Sequence, residues 1–144
     1  MKCGGFRFLE HTADAYVEAS GYSIEEAFEW MAKAMFEVIT DTSKVEPKVK
    51  VSFSGRGIDL EGVLYRWLED LLIAHDADGM LFSRFKVHRV WKDGEEYAYR
   101  ADAWGERADP KKHEFRTEIK AVTYSLMEIK KEGECWIARV VFDL

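Results

Sequence analysis

Phe85-Lys86-Val87-His88-Arg89-Val90-Trp91-Lys92-Asp93-Gly94-Glu95-Glu96-Tyr97-Ala98-Tyr99-Arg100-Ala101-Asp102-Ala103-Trp104 carries the strongest structural signal in the chain. Apolar and polar residues alternate on both sides of Asp93-Gly94, as they do in half-buried strands. Asp-Gly between two such runs predicts a tight hairpin, so residues 85–91 and 97–104 are expected to pair antiparallel. A weaker version recurs downstream, where Glu132-Gly133 separates 123–129 from 136–142. Upstream, 5–9 and 15–19 read as short strands, and Val49, Val51 and Phe53 alternate with Lys50 and Ser52. Between these lie two helices. Ser23 with Glu26 forms a capping box, followed by Ile24, Ala27, Met31, Ala34, Met35 and Val38 at helical spacing. Asp59 caps a second helix that carries Leu60, Val63, Leu64, Trp67, Leu68, Leu71 and Leu72. Pro47 and Pro110 fall between elements. The order β-β-α-β-α-β-β-β-β predicts an α+β fold: a single compact domain over residues 1–144, its mostly antiparallel sheet covered on one face by two helices.

The composition agrees with one globular domain. The chain has 144 residues, 47% apolar and 33% charged, with 9 Phe, 5 Trp and 6 Tyr to fill a core. No uncharged apolar run approaches the ~18 residues of a membrane span. The start, Met1-Lys2-Cys3-Gly4-Gly5-Phe6-Arg7, has no apolar signal core, so a cytoplasmic location is expected. Net charge is −6, which weighs against independent binding to nucleic acid or an anionic membrane, since both need a basic footprint. No Asn or Gln occurs beside abundant Glu and Lys, a hyperthermophile composition. Cys3 and Cys135 form no CxxC; free thiols are expected in an ordinary cytosol. A hyperthermophile cytosol admits a Cys3–Cys135 disulfide, which requires the first and last strands to be neighbours.

Several motifs fail on spacing. Asp76-Ala77-Asp78-Gly79 opens like a calcium loop, but the sixth and twelfth positions are Leu81 and Val87, where an EF-hand needs Gly and Glu. Ser54-Gly55-Arg56-Gly57 lacks the Gly-Lys-Ser/Thr of a P-loop. His11, His75, His88 and His113 show no zinc-ligand spacing, and no GxSxG is present. The aromatics fall mostly at core periodicities, without systematic interleaving by basic residues.

Two segments stand out. Glu10-His11-Thr12-Ala13-Asp14 crowds two acids, a His and a hydroxyl into a short turn. Val140-Val141-Phe142-Asp143-Leu144 runs as an apolar strand to the last residue and sets Asp143 beside the α-carboxylate of Leu144. Adjacent carboxylates repel and are relieved by a cation. The alternatives are a solvated turn and an ordinary strand end.

Together these segments resemble the archease family over essentially the whole chain. The similarity runs through Phe8-Leu9-Glu10-His11-Thr12-Ala13-Asp14, Ala19-Ser20-Gly21-Tyr22-Ser23-Ile24-Glu25-Glu26-Ala27-Phe28, Val38-Ile39-Thr40-Asp41, and Leu64-Tyr65-Arg66-Trp67-Leu68-Glu69-Asp70-Leu71-Leu72. It continues through Gly105-Glu106, Glu118-Ile119-Lys120-Ala121-Val122-Thr123-Tyr124 and the terminal strand. The resemblance implies an activator of the tRNA-splicing RNA ligase. That ligase is guanylylated on a histidine by GTP with Mn²⁺, and archeases promote this step and multiple turnover. The resemblance further implies a metal site on Asp14 and Asp143 and a functional role for Lys120. Oxygen donors without a Cys/His set suit a hard cation, Ca²⁺ first, then Mg²⁺ or Mn²⁺, with the Leu144 carboxylate completing an open site. His11 either orients Asp14 or is a satisfied turn histidine; Lys120 either contacts the site or is an exposed strand lysine.

The expected role is therefore that of a non-enzymatic activator protein. A chaperone-like adaptor for RNA-processing proteins is the alternative. A free-standing phosphohydrolase is disfavoured, because two-metal sites need more anionic ligands than these segments offer.

Overall fold

The computed structural model describes residues 2–11 and 13–144. Thr12, whose hydroxyl belongs to the turn singled out above, lies outside the described residues. The strands are β1 (Gly5–Leu9), β2 (Ala15–Gly21), β3 (Val49–Gly57), β4 (Met80–Asp93), β5 (Glu96–Arg107), β6 (Ala121–Val122), β7 (Glu128–Glu132) and β8 (Cys135–Asp143). The helices are α1 (Ile24–Ile39) and α2 (Leu60–Asp78), with a short 3₁₀ turn at Thr42–Lys44. Every strand pair is antiparallel, and the α+β class holds. The strands divide between two sheets. One has the order β1-β2-β8-β6, with β7 also paired to β8; the other is β3-β5-β4.

Both helices pack against both sheets, so each sheet has one covered face and one open face. This explains why α1 is buried over a wider arc than a single apolar stripe predicts. Phe28, Ala32, Phe36 and Ile39 are buried as well as Ala27, Met31, Ala34 and Met35, while Ile24 and Val38 sit at the margin. Trp67 of α2 is fully buried at the centre, donates its indole N–H to the Phe28 carbonyl, and meets the rings of Phe53, Phe85 and Tyr99. The caps are those expected: Ser23 accepts from Glu26 N–H and Asp59 from Gly62 N–H. Gly79, at φ 68°, ends α2, so Asp76-Ala77-Asp78-Gly79 is a helix terminus.

Some expectations are corrected. In the main hairpin the last pair is Asp93↔Glu96, so the two-residue loop is Gly94-Glu95, one position later than expected, with Gly94 at φ 70°. The expected strand over 123–129 is interrupted. β6 and β7 both pair with β8, and a turn closed by Met127 N–H on the Tyr124 carbonyl separates them. Leu126 takes φ 55° in that turn, the one described non-glycine residue with positive φ.

The cysteines are not free thiols. Cys3 and Cys135 form a disulfide with their Cα atoms 5.5 Å apart. β1 and β8 are not direct neighbours, because β2 lies between them. Gly4 and Gly5, both with positive φ, redirect the segment ahead of β1 across the end of β2 to reach β8.

Candidate functional site

β2 is the central neighbour of β8, and their register fixes the site. The last pair of the ladder is Ala15↔Phe142. Asp14 and Asp143 lie one residue beyond it on either strand and so stand across from each other. Directly opposed residues of an antiparallel pair project to the same face. Val17, Ala19, Ala138, Val140 and Phe142 occupy the covered face, which puts Asp14 and Asp143 on the open face with Tyr16, Glu18 and Arg139. Both aspartates are half-buried.

On the other side of β8, Ala121 pairs with Asp143. Lys120 follows the same register to a position beside Leu144, and its N–H donates to the Asp143 carbonyl at 2.7 Å. The Leu144 side chain packs against the core and ties down the end of the strand. The end of β8 is thus flanked by Asp14 on one side and exposed Lys120 on the other.

His11 Nδ1 is 3.9 Å from Asp14 Oδ2, too long for a hydrogen bond and short enough for an ion pair when the imidazole is protonated. Its ring lies edge-on to Tyr16, with centroids 5.9 Å apart. Tyr16 escaped the sequence reading. The period-2 alternation of β2, which puts Asp14, Tyr16 and Glu18 on one face, is the signal that finds it.

Further along the same open face, Arg7, Glu18, Arg139 and Glu128 form a row of alternating charge across four strands. Burial pushes the Glu18 carboxyl up, but hydrogen bonds and attraction from Arg7 and Arg139 outweigh it and hold the group below its ordinary range. The contrast with the strand end is chemical. Among the described residues, neither Asp14 nor Asp143 forms a salt bridge with a Lys or Arg. Two opposed carboxylates without a cationic side-chain partner, next to a third carboxylate on Leu144, are an all-oxygen donor set that fits a hard divalent cation. Among the described residues no cluster of three or more His, Cys, Asp or Glu side chains could hold a metal, so the Leu144 carboxylate is required to reach three donors. Nor is any helix long and apolar enough to cross a membrane.

A second electrostatic centre lies on Glu106. Its carboxylate receives Lys112 Nζ, the Glu46 N–H and His113 Nε2. The buried His113 accepts the Asp109 N–H on Nδ1, so its ring proton sits on Nε2 and points at Glu106. Burial raises the Glu106 pKa, but Lys112, the Glu46 N–H and His113 together bring it down to about 2. Every strong donor here is already engaged, and the cluster pins the 109–113 turn to β5.

Residues 6–144 match the sequence model of the archease protein family (MTH1598/TM1083). "Protein archease" of Aeropyrum pernix is 49% identical over 144 residues, all of both chains. That of Sulfurisphaera tokodaii is 48% identical over 96% of this chain and 98% of its own. The solution structure of Methanobacterium thermoautotrophicum protein 1598 superposes with a TM-score of 0.86 at 43% identity, covering 97% of this chain and 99% of that one. The crystal structure of an archease, possible chaperone, from Thermotoga maritima has a TM-score of 0.57 at 24% identity, over 96% of each chain, and shares the fold.

Proposed function

The chain belongs to the archease family, and from that premise we propose that it activates the GTP- and Mn²⁺-dependent tRNA-splicing RNA ligase, promoting guanylylation of the ligase histidine and multiple turnover. The observation that carries this reading is the opposition of Asp14 and Asp143 at the end of the β2–β8 ladder. The protein is an activator here and performs no bond-making itself.

Asp14, Asp143 and the α-carboxylate of Leu144 would hold a divalent cation, Ca²⁺ by preference, with Mg²⁺ or Mn²⁺ as the other hard candidates. When bound, the ion supplies positive charge partly open to phosphate oxygens. Lys120 adds a second positive charge beside β8, and its backbone N–H fixes the Asp143 carbonyl. His11 when protonated attracts Asp14 and holds that carboxylate toward β8. The acidic surface, net −6 for the chain, suits approach to a basic RNA-binding cleft.

The test is ligation of a split tRNA by a ligase from the same organism, with RNA in excess over ligase and GTP and Mn²⁺ supplied. Addition of this protein should turn one round of joining into many, and Asp14→Ala or Asp143→Ala should remove most of the gain. Unchanged turnover with the wild-type chain defeats the proposal. A second reading takes its support from the Thermotoga maritima relative, described as a possible chaperone. On that reading the chain is an adaptor, and native pull-down recovers several RNA-processing proteins where an activator recovers chiefly the ligase.

A further inference from the structure

The open face of the β3-β5-β4 sheet has a charge opposite to that of the whole chain. The register stacks four cross-strand rows on it: Lys50–Trp104–Arg84, Ser52–Asp102–Lys86, Ser54–Arg100–Arg89 and Arg56–Ala98–Trp91. The intervening rows, Val51–Ala103–Phe85 and Phe53–Ala101–Val87, face the core. Six of the 21 Lys and Arg therefore share these four rows with one of the 27 Asp and Glu.

That one acid, Asp102, is already engaged by His88 and Ser52, both at 2.7 Å. Arg56 pairs with Asp93 and Glu96 at the hairpin tip, and Lys86 lies 4.0 Å from Glu29. Among the described residues, Lys50, Arg84, Arg89 and Arg100 form no salt bridge and are exposed. Two of them are held by aromatic rings. The Arg84 guanidinium lies 4.8 Å from the Trp104 ring centroid, and that of Arg89 lies 4.7 Å from Trp91. Stacking limits their rotamer freedom and leaves the N–H fork free for a bidentate oxyanion. The sequence reading found no interleaving of basic and aromatic residues, because the interleaving arises across strands.

We propose that this face binds single-stranded nucleic acid. The four unpaired cations meet phosphates, and Trp91 and Trp104 offer ring surface to bases. Successive rows along a strand are about 6.6 Å apart, so the four rows span about 20 Å of an extended strand. Charge complementarity selects a polyanion, and the paired tryptophans select one with stacking bases over an acidic protein surface. Net charge alone weighs against this ligand; the uneven distribution of charge reverses the conclusion for this face. The proposal stands independently of ligase activation.

The test uses the wild-type chain alone with a fluorescein-labelled twelve-nucleotide oligouridine, followed by anisotropy and by tryptophan fluorescence. Saturable binding tighter than about 100 µM at 50 mM salt is expected, with quenching of tryptophan emission. Four phosphate contacts predict about 50-fold weaker binding at 200 mM salt. Arg84→Glu/Arg89→Glu/Arg100→Glu should abolish binding without moving Tm, because all three side chains are exposed. Arg89→Gln/Arg100→Gln, which keeps the aliphatic stems, should weaken it about tenfold or more. Trp91→Ala should weaken it at least fivefold, and Trp91→Phe should recover most of that loss. A twelve-nucleotide oligothymidine binding equally supports the proposal, since phosphate and base faces are shared. No binding at 50 mM salt overturns it. So does binding that ignores the arginine variants, or equal competition by polyglutamate of the same charge without quenching, which assigns the face to an acidic protein.

Discussion

Asp14 and Asp143 are 129 positions apart in the chain and stand across from each other at the end of one antiparallel ladder. Their convergence follows from the register Ala15↔Phe142, which a slip of one residue would destroy by turning one aspartate toward the core. If the pair holds a cation, Asp14→Ala and Asp143→Ala should each weaken terbium or calcium binding at least tenfold. At ligand concentrations 100-fold above Kd, calcium should stabilise the wild-type chain by about 2.7 kcal/mol and neither variant by as much. Denaturant titration with and without calcium reads this directly, and equal stabilisation of all three proteins would refute the site.

The disulfide closes nearly the whole chain, with 132 residues between Cys3 and Cys135. Constraint of so long a loop in the unfolded state predicts a loss of about 2–5 kcal/mol on reduction or in Cys3→Ser/Cys135→Ser. Thiol titration of the unreduced protein in denaturant should find no sulfhydryl, and two after reduction.

Acid should weaken the fold through Glu106. Its pKa falls from 4.5 to about 2 on folding, so its stabilising contribution is complete above about pH 4.5 and is lost as pH drops toward 2. Denaturant midpoints at pH 7, 4.5 and 2.5 should fall in that order. Glu106→Gln should flatten the decline while lowering stability at pH 7, because Lys112 and the Glu46 N–H lose their charged acceptor.

Two backbone positions should respond in opposite directions. A Cβ on Gly105 would sit 1.8 Å from the Leu81 carbonyl oxygen, so Gly105→Ala should cost more than about 2 kcal/mol. Leu126 is exposed and holds φ 55°, a conformation that costs a side-chain-bearing residue about 1–2 kcal/mol. Leu126→Gly should leave stability unchanged or raise it by up to about 1 kcal/mol, after the added freedom of glycine in the unfolded chain is subtracted. Urea unfolding of the two variants measures both signs.

The sequence by itself determined the local elements. Ser23 and Asp59 mark the helix starts, and alternation around Asp93-Gly94 marks the hairpin, because caps and period-2 patterns act over a few residues. The acidic segments at Asp14 and Asp143 were visible as unusual chemistry, and family resemblance joined them. Only the tertiary structure decided which strands meet. Division into two sheets, insertion of β2 between β1 and β8, the Cys3–Cys135 bridge, and the gathering of Lys50, Arg84, Arg89 and Arg100 onto one face all depend on cross-strand register. Register is set by which apolar faces the core can bury together. That selection acts on the folded chain as a whole, so no window of sequence contains it.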